Sequence, residues 1–118
     1  MKIEQENDVC VAKLDPSYSA LQEEHLAETI RSLLQTADEL ENPKLIMDFS
    51  STEYFGTAFF EVLSRVSQRL TKRGGGMAIC GLRPLLLDLF QKARMDAVWP
   101  ICNTRSEAAA ELKGAGKN

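Results

Sequence analysis

The sequence predicts an α/β domain in which a mixed sheet opens with a hairpin and then alternates with about four helices, in the order ββαβαβαβα. Short apolar runs at Val9 to Leu14, Lys44 to Phe49 and Met77 to Cys80 have strand length. Amphipathic stretches of helical period separate them, and Gly, Pro and Asn punctuate the junctions. The sheet is therefore expected to be mixed, with crossovers joining its parallel strands.

Lys2 to Glu6 and Val9 to Leu14 read as two strands joined by a tight turn at Asn7-Asp8. Asp15-Pro16 breaks the second strand, and Ser19-Ala20-Leu21-Gln22 has the form of a capping box. A long helix follows, with Leu26, Ile30, Leu33, Leu34, Ala37 and Leu40 on one face. Asn42-Pro43 ends it, because proline disfavours the α conformation in the residue before it.

Lys44 to Phe49 is expected to be a central strand covered on both faces, followed by a polar and aromatic loop from Ser50 to Gly56. The second helix is expected to start at Gly56 or Thr57, either of which can serve as its cap, and to bury Phe59, Leu63, Val66 and Leu70. Glu61, Arg65, Gln68 and Lys72 line its other face, and Gly74-Gly75-Gly76 terminates it. Met77 to Cys80 is the next strand. Gly81-Leu82-Arg83-Pro84 opens a third helix whose apolar face is Leu85, Leu86, Leu89, Phe90 and Ala93. Val98 to Ile101 reads as a last strand at an edge, where Pro100 costs no ladder bond. Thr104-Arg105-Ser106-Glu107 is a second capping box, opening a helix through Leu112. Residues 1–112 form one expected domain and residues 113–118 a frayed tail.

Composition narrows the function. The chain has 118 residues, 44% of them apolar and 26% charged, which suits one small globular domain. A pI near 5.2 argues against nucleic-acid binding. No apolar run reaches the roughly 18 residues of a membrane span, and the polar opening Met1 to Glu6 is no secretory signal, so the expected location is the cytoplasm, without membrane insertion. The net charge of −3 is unevenly spread. Residues 1–56 carry 4 basic and 12 acidic side chains, and residues 57–118 carry 10 and 5. Charge complementarity inside the fold is the reading favoured over a polarised surface.

Catalytic chemistry finds little footing. Cys10, Cys80 and Cys102 fall in or directly beside three separate expected strands with no Cys-x-x-Cys pair, and read as buried thiols. His25 is the single histidine, set among glutamates, so a multi-histidine metal site is excluded and a Ser-His-Asp arrangement has no Gly-x-Ser-x-Gly elbow. Lys72-Arg73-Gly74-Gly75-Gly76 ends a helix, whereas phosphate loops begin one. No catalytic residue, metal or cofactor is expected.

Leu45-Ile46-Met47-Asp48-Phe49-Ser50, Tyr54-Phe55-Gly56-Thr57-Ala58, Val62-Leu63, Lys72-Arg73-Gly74 and Met77-Ala78-Ile79-Cys80-Gly81-Leu82-Arg83-Pro84 together resemble the STAS domain, the fold of bacterial anti-sigma factor antagonists, from about Ile3 to Leu112. The resemblance implies a partner, an anti-sigma factor that is often a Ser/Thr protein kinase, and a switch by phosphorylation of a hydroxyl at the start of the second helix. Thr57 falls on that phosphoacceptor position. Gly56 stands where the family pattern has Asp, and Phe59 where Gly is common. Asp48 matches the strand-end Asp, with a structural role. The expected contact surface comprises Ser50, Ser51, Tyr54, Phe55, Gly56, Thr57, Ala58 and Phe60 with Glu61, Arg65 and Gln68, and a homodimer is a further expected association. A phosphate adds about −1.5 to −2 charges at neutral pH, and the positive end of a helix macrodipole tolerates it. The alternative keeps the fold without the switch, as a scaffold subunit of a signalling assembly or of a lipid-transport ABC complex. Gly56 favours the alternative and Thr57 the switch.

Overall fold

The computed structural model describes residues 1–6, 8–18 and 23–114. The turn residue Asn7, the capping box Ser19 to Gln22, the side chain of His25 and residues 115–118 lie outside what is described. In chain order the elements are β1 (Lys2–Glu6), β2 (Val9–Lys13), β3 (Ser17–Tyr18), α1 (Glu23–Glu39), β4 (Lys44–Asp48), β5 (Tyr54–Phe55), α2 (Phe59–Lys72), β6 (Gly76–Cys80), α3 (Pro84–Lys92), a 3-10 turn (Met95–Ala97), β7 (Ile101–Cys102) and α4 (Arg105–Gly114).

The main sheet has the order β1-β2-β4-β6-β7. Its first pair is the expected antiparallel hairpin, with Glu6 opposite Val9, and every later pair is parallel. Strand alternation sorts the apolar side chains onto two faces. Cys10, Ala12, Leu45, Met47, Met77 and Ile79 meet the buried stripes of α1, α2 and α3. Val9, Val11, Ile46, Ala78 and Cys80 meet Ala108 and Leu112 of α4. The central strand β4 is thus covered on both sides, as its continuous apolar run requires.

The junction between α2 and β6 shows why three glycines follow one another. Gly74, at φ +85°, takes the left-handed position. Its amide donates to the Thr71 carbonyl at 3.0 Å and that of Gly75 to the Leu70 carbonyl at 2.9 Å, the bond pair of a Schellman motif. A Cβ on Gly75 would lie 1.7 Å from the Pro43 carbonyl oxygen, so no other residue fits there.

Four expectations need correction. The cap of α2 is neither Gly56 nor Thr57 but Ala58, with no side-chain capping bond. Bonds from Phe59 to Gly56, Phe60 to Thr57 and Glu61 to Ala58 at 2.9, 3.1 and 3.1 Å tighten that end into a 3-10 turn instead. The last strand is Ile101–Cys102 rather than Val98 to Ile101, because Arg94, at φ 61°, turns the chain into a 3-10 turn that leaves Val98 exposed. Leu85 is 67% exposed and does not join Leu86 and Phe90 in the core. Cys102 is only half-buried, unlike Cys10 and Cys80.

Some of the uneven charge is paired between the two halves. Arg69 Nη1 meets Asp38 Oδ2 at 2.5 Å, Arg73 donates to the carbonyls of Ala37 and Leu40 at the end of α1, and Arg105 binds three carboxylates of the acidic half. Among the described residues no helix is long and apolar enough to cross a membrane.

Candidate partner-binding surface

Because β2, β4, β6 and β7 run parallel, their carboxyl ends open on one side of the sheet, the side from which the Ser50–Gly56 segment departs. The segment is tied down along its length. Phe49 N–H donates to the Cys80 carbonyl and Thr52 N–H to the Phe49 carbonyl, both at 2.9 Å. The fully buried Thr52 hydroxyl donates to the Asp15 carbonyl at 2.8 Å. Glu53 N–H reaches the Pro16 carbonyl at 2.7 Å, and β5 then pairs in parallel with β3, Ser17 opposite Tyr54 and Tyr18 opposite Phe55. This second, two-stranded sheet occupies what the sequence presents as loop.

Extended backbone sends neighbouring side chains to opposite sides. Tyr54 is 50% exposed, whereas Phe55 is 1% exposed. The Phe55 ring lies 5.6, 5.3, 5.4 and 5.8 Å from those of Phe49, Phe59, Phe60 and Phe90, so all five phenylalanines of the chain form one cluster beneath the segment. Tilted and edge-on ring pairs of this kind are favourable beyond the area they bury.

Of the residues expected on the contact surface, Ser50, Tyr54, Thr57 and Ala58 are exposed, and Ser51 and Gly56 half-buried. Glu61, Arg65 and Gln68 are exposed along α2. Phe55 and Phe60 are buried, a correction to their expected place: they hold the surface from below. Gly56 has no atom within 4 Å of where a Cβ would stand.

Asp48 closes β4 at 4% exposure. Its Oδ1 accepts the Ser50 backbone N–H at 2.8 Å and its Oδ2 accepts Arg105 Nε at 2.8 Å. Burial pushes the Asp48 carboxyl up, but hydrogen bonds from Ser50 and Arg105 outweigh it and hold the group below its ordinary value. Arg105 Nη1 also donates to Glu4 Oε2 at 2.6 Å and Glu6 Oε1 at 2.8 Å. Its hydrogen bond lowers the Glu4 carboxyl, and the three acids together raise the guanidinium further against the cost of burial. Arg105 was not singled out in the sequence, yet a signal was present: a cation in the first turn of a helix opposes the macrodipole and calls for acidic partners. The Thr104–Glu107 box fixes that turn, Glu107 N–H donating to Thr104 Oγ1 at 3.1 Å and Thr104 N–H to Glu107 Oε1 at 3.2 Å.

Burial drives the Cys80 thiol up to about 12 and raises those of Cys10 and Cys102, so all three stay protonated at neutral pH. Among the described residues no three His, Cys, Asp or Glu side chains group to hold a metal ion. What the surface offers is an exposed hydroxyl at a helix start, an exposed aromatic ring and a charged helix face.

The STAS domain model matches residues 1–108, and the chain belongs to the STAS domain family. It is 25% identical over 89 residues to BtrV of Bordetella bronchiseptica, a protein named as an anti-sigma factor antagonist, covering 75% of this chain and 77% of BtrV. An anti-sigma-factor antagonist (STAS) domain protein from Planctomyces limnophilus superposes with a TM-score of 0.82 at 25% identity, covering 96% of this chain and 97% of that one. The Bacillus cell fate determinant SpoIIAA in its phosphorylated form shares the fold at a TM-score of 0.66 and 18% identity, covering 94% and 97%.

Proposed function

We propose that this chain is an anti-sigma factor antagonist that regulates transcription by binding an anti-sigma factor of the Ser/Thr protein kinase type in the cytoplasm, with phosphorylation of Thr57 as the switch. The names of BtrV and of the Planctomyces protein support the first part, and the solved phosphorylated form of SpoIIAA supports a phosphate-based switch in this fold. The observation that carries the reading is the position of Thr57, exposed in the turn that leads into the 14-residue helix α2. A phosphate there meets the positive end of the helix, so the domain stays folded. A partner seated on Ser50, Ser51, Tyr54, Gly56, Ala58, Glu61, Arg65 and Gln68 then confronts a charge it must desolvate, and the complex weakens. The transfer chemistry belongs to the kinase; this domain supplies the acceptor.

Incubation with the cognate kinase and Mg-ATP is expected to add one phosphate, lost in Thr57→Ala. Full labelling of that variant overturns the assignment.

Gly56 favours a second reading, in which the chain is a STAS scaffold of a signalling assembly or of a lipid-transport ABC complex and is never phosphorylated. The open space at Gly56 would admit the acidic side chain that the family pattern has there, so packing does not account for its absence. Recovery of an ABC-transporter subunit as the native partner, in place of a kinase, selects this reading.

A further inference from the structure

We propose that Arg105 is a positioning residue for the Ser50–Thr57 surface, acting through Asp48; its functional consequence rests on the reading given above. One carboxylate does two jobs at once. Asp48 Oδ1 holds the Ser50 N–H at 2.8 Å, where the chain leaves β4, and Oδ2 holds Arg105 Nε at 2.8 Å, 57 residues later in the sequence. Gly81, at φ +74°, leaves room for this pair: a Cβ there would stand 3.0 Å from Asp48 Oδ1 and 3.0 Å from the Ser50 nitrogen and Cβ. With Arg105 on one oxygen and Ser50 on the other, the orientation of the carboxylate is set from both sides. Arg105 is itself aimed by Glu4, Glu6 and the capping box of α4. α4 packs on the face of the sheet opposite α2, so this chain of bonds links the contact surface to the far layer of the domain.

Removal of the guanidinium leaves a buried carboxylate with one partner group fewer, and such a group turns toward water. The bond to Ser50 is then the one that yields. Amide hydrogen exchange read residue by residue tests this, with Arg105→Gln and Arg105→Lys compared against the parent chain. In Arg105→Gln the amides of Ser50 and Thr52 are expected to exchange at least about tenfold faster, the size of a lost charge-assisted bond, while those of Ile46 and Ile79 in the sheet interior change by a smaller factor. Arg105→Lys, which keeps the charge but not the fork, is expected to fall between. An equal acceleration at all four amides means that Arg105 only stabilises the whole domain and overturns the proposal, as does an unchanged rate at Ser50. Because exchange needs no partner, accelerated exchange at Ser50 and Thr52 supports the positioning role even if Thr57 proves never to be phosphorylated.

Discussion

Phe55 and Phe90 stand edge to face with ring centroids 5.8 Å apart, which fastens the floor of the proposed contact surface to α3. The next residue back, Tyr54, faces solvent. Stability and recognition are therefore expected to separate at adjacent positions. Phe55→Ala should cost about 3–5 kcal/mol in urea denaturation, as for other aromatic deletions from a core. Tyr54→Ala should stay within about 0.5 kcal/mol of the parent yet weaken binding to the partner. Equal losses of stability in both variants would contradict the in-and-out alternation of β5.

A second pair of variants contrasts two glycines. Gly75→Ala drives a methyl group into the Pro43 carbonyl, a backbone atom that cannot rotate aside, and should destabilise by at least about 2 kcal/mol. Gly56→Ala meets open space and should change stability by no more than about 0.5 kcal/mol. Gly56→Asp is equally permitted by packing, and in the kinase reading it should speed phosphate transfer to Thr57 in a timed assay.

The Asp48–Arg105–Glu4 cluster sets an acid limit. Both carboxyls are held below their ordinary values of 3.8 and 4.5, so the folded state binds fewer protons than the unfolded chain in that range. Their contribution is complete above those values and is lost as pH falls through the lower folded ones. Cys80 acts in the opposite sense: raised from 9.0 to about 12, it contributes fully below pH 9 and loses that contribution as pH climbs toward 12. Guanidinium midpoints should be flat between about pH 5 and pH 8 and fall on both sides. Arg105→Gln should shrink the acid arm, and Cys80→Ala the alkaline arm. An acid arm of unchanged size in Arg105→Gln would remove the cluster as its cause.

Elements whose signals are local were legible in the sequence. The stripe Phe59, Leu63, Val66, Leu70 gave α2, and the Thr104–Glu107 spacing gave the start of α4, because both depend on contacts three or four residues apart. The small sheet β3–β5 escaped, since two-residue strands carry no periodicity and their pairing spans 37 positions from Ser17 to Tyr54. Thr57 looked like a cap because residue type alone cannot tell a side-chain cap from the 3-10 turn that satisfies the same amides. At the proposed contact surface the sequence placed Tyr54 and Phe55 together, and only the register of β5 separates the exposed ring from the buried one. Arg105 lay hidden for a different reason: its acids are 57 to 101 positions away.

The order of strands across the main sheet is the order in which they occur in the chain. A polypeptide emerging from the ribosome can lay each new strand against the outer edge of those already made, and none has to be threaded between earlier neighbours. Arg105 arrives on α4, after β7, so the carboxylate at the end of β4 meets its cation only once every strand of the main sheet has been made. The Asp48–Arg105 contact therefore forms only after the sheet is complete, and a nascent chain stopped before α4 would leave Asp48 without that cation.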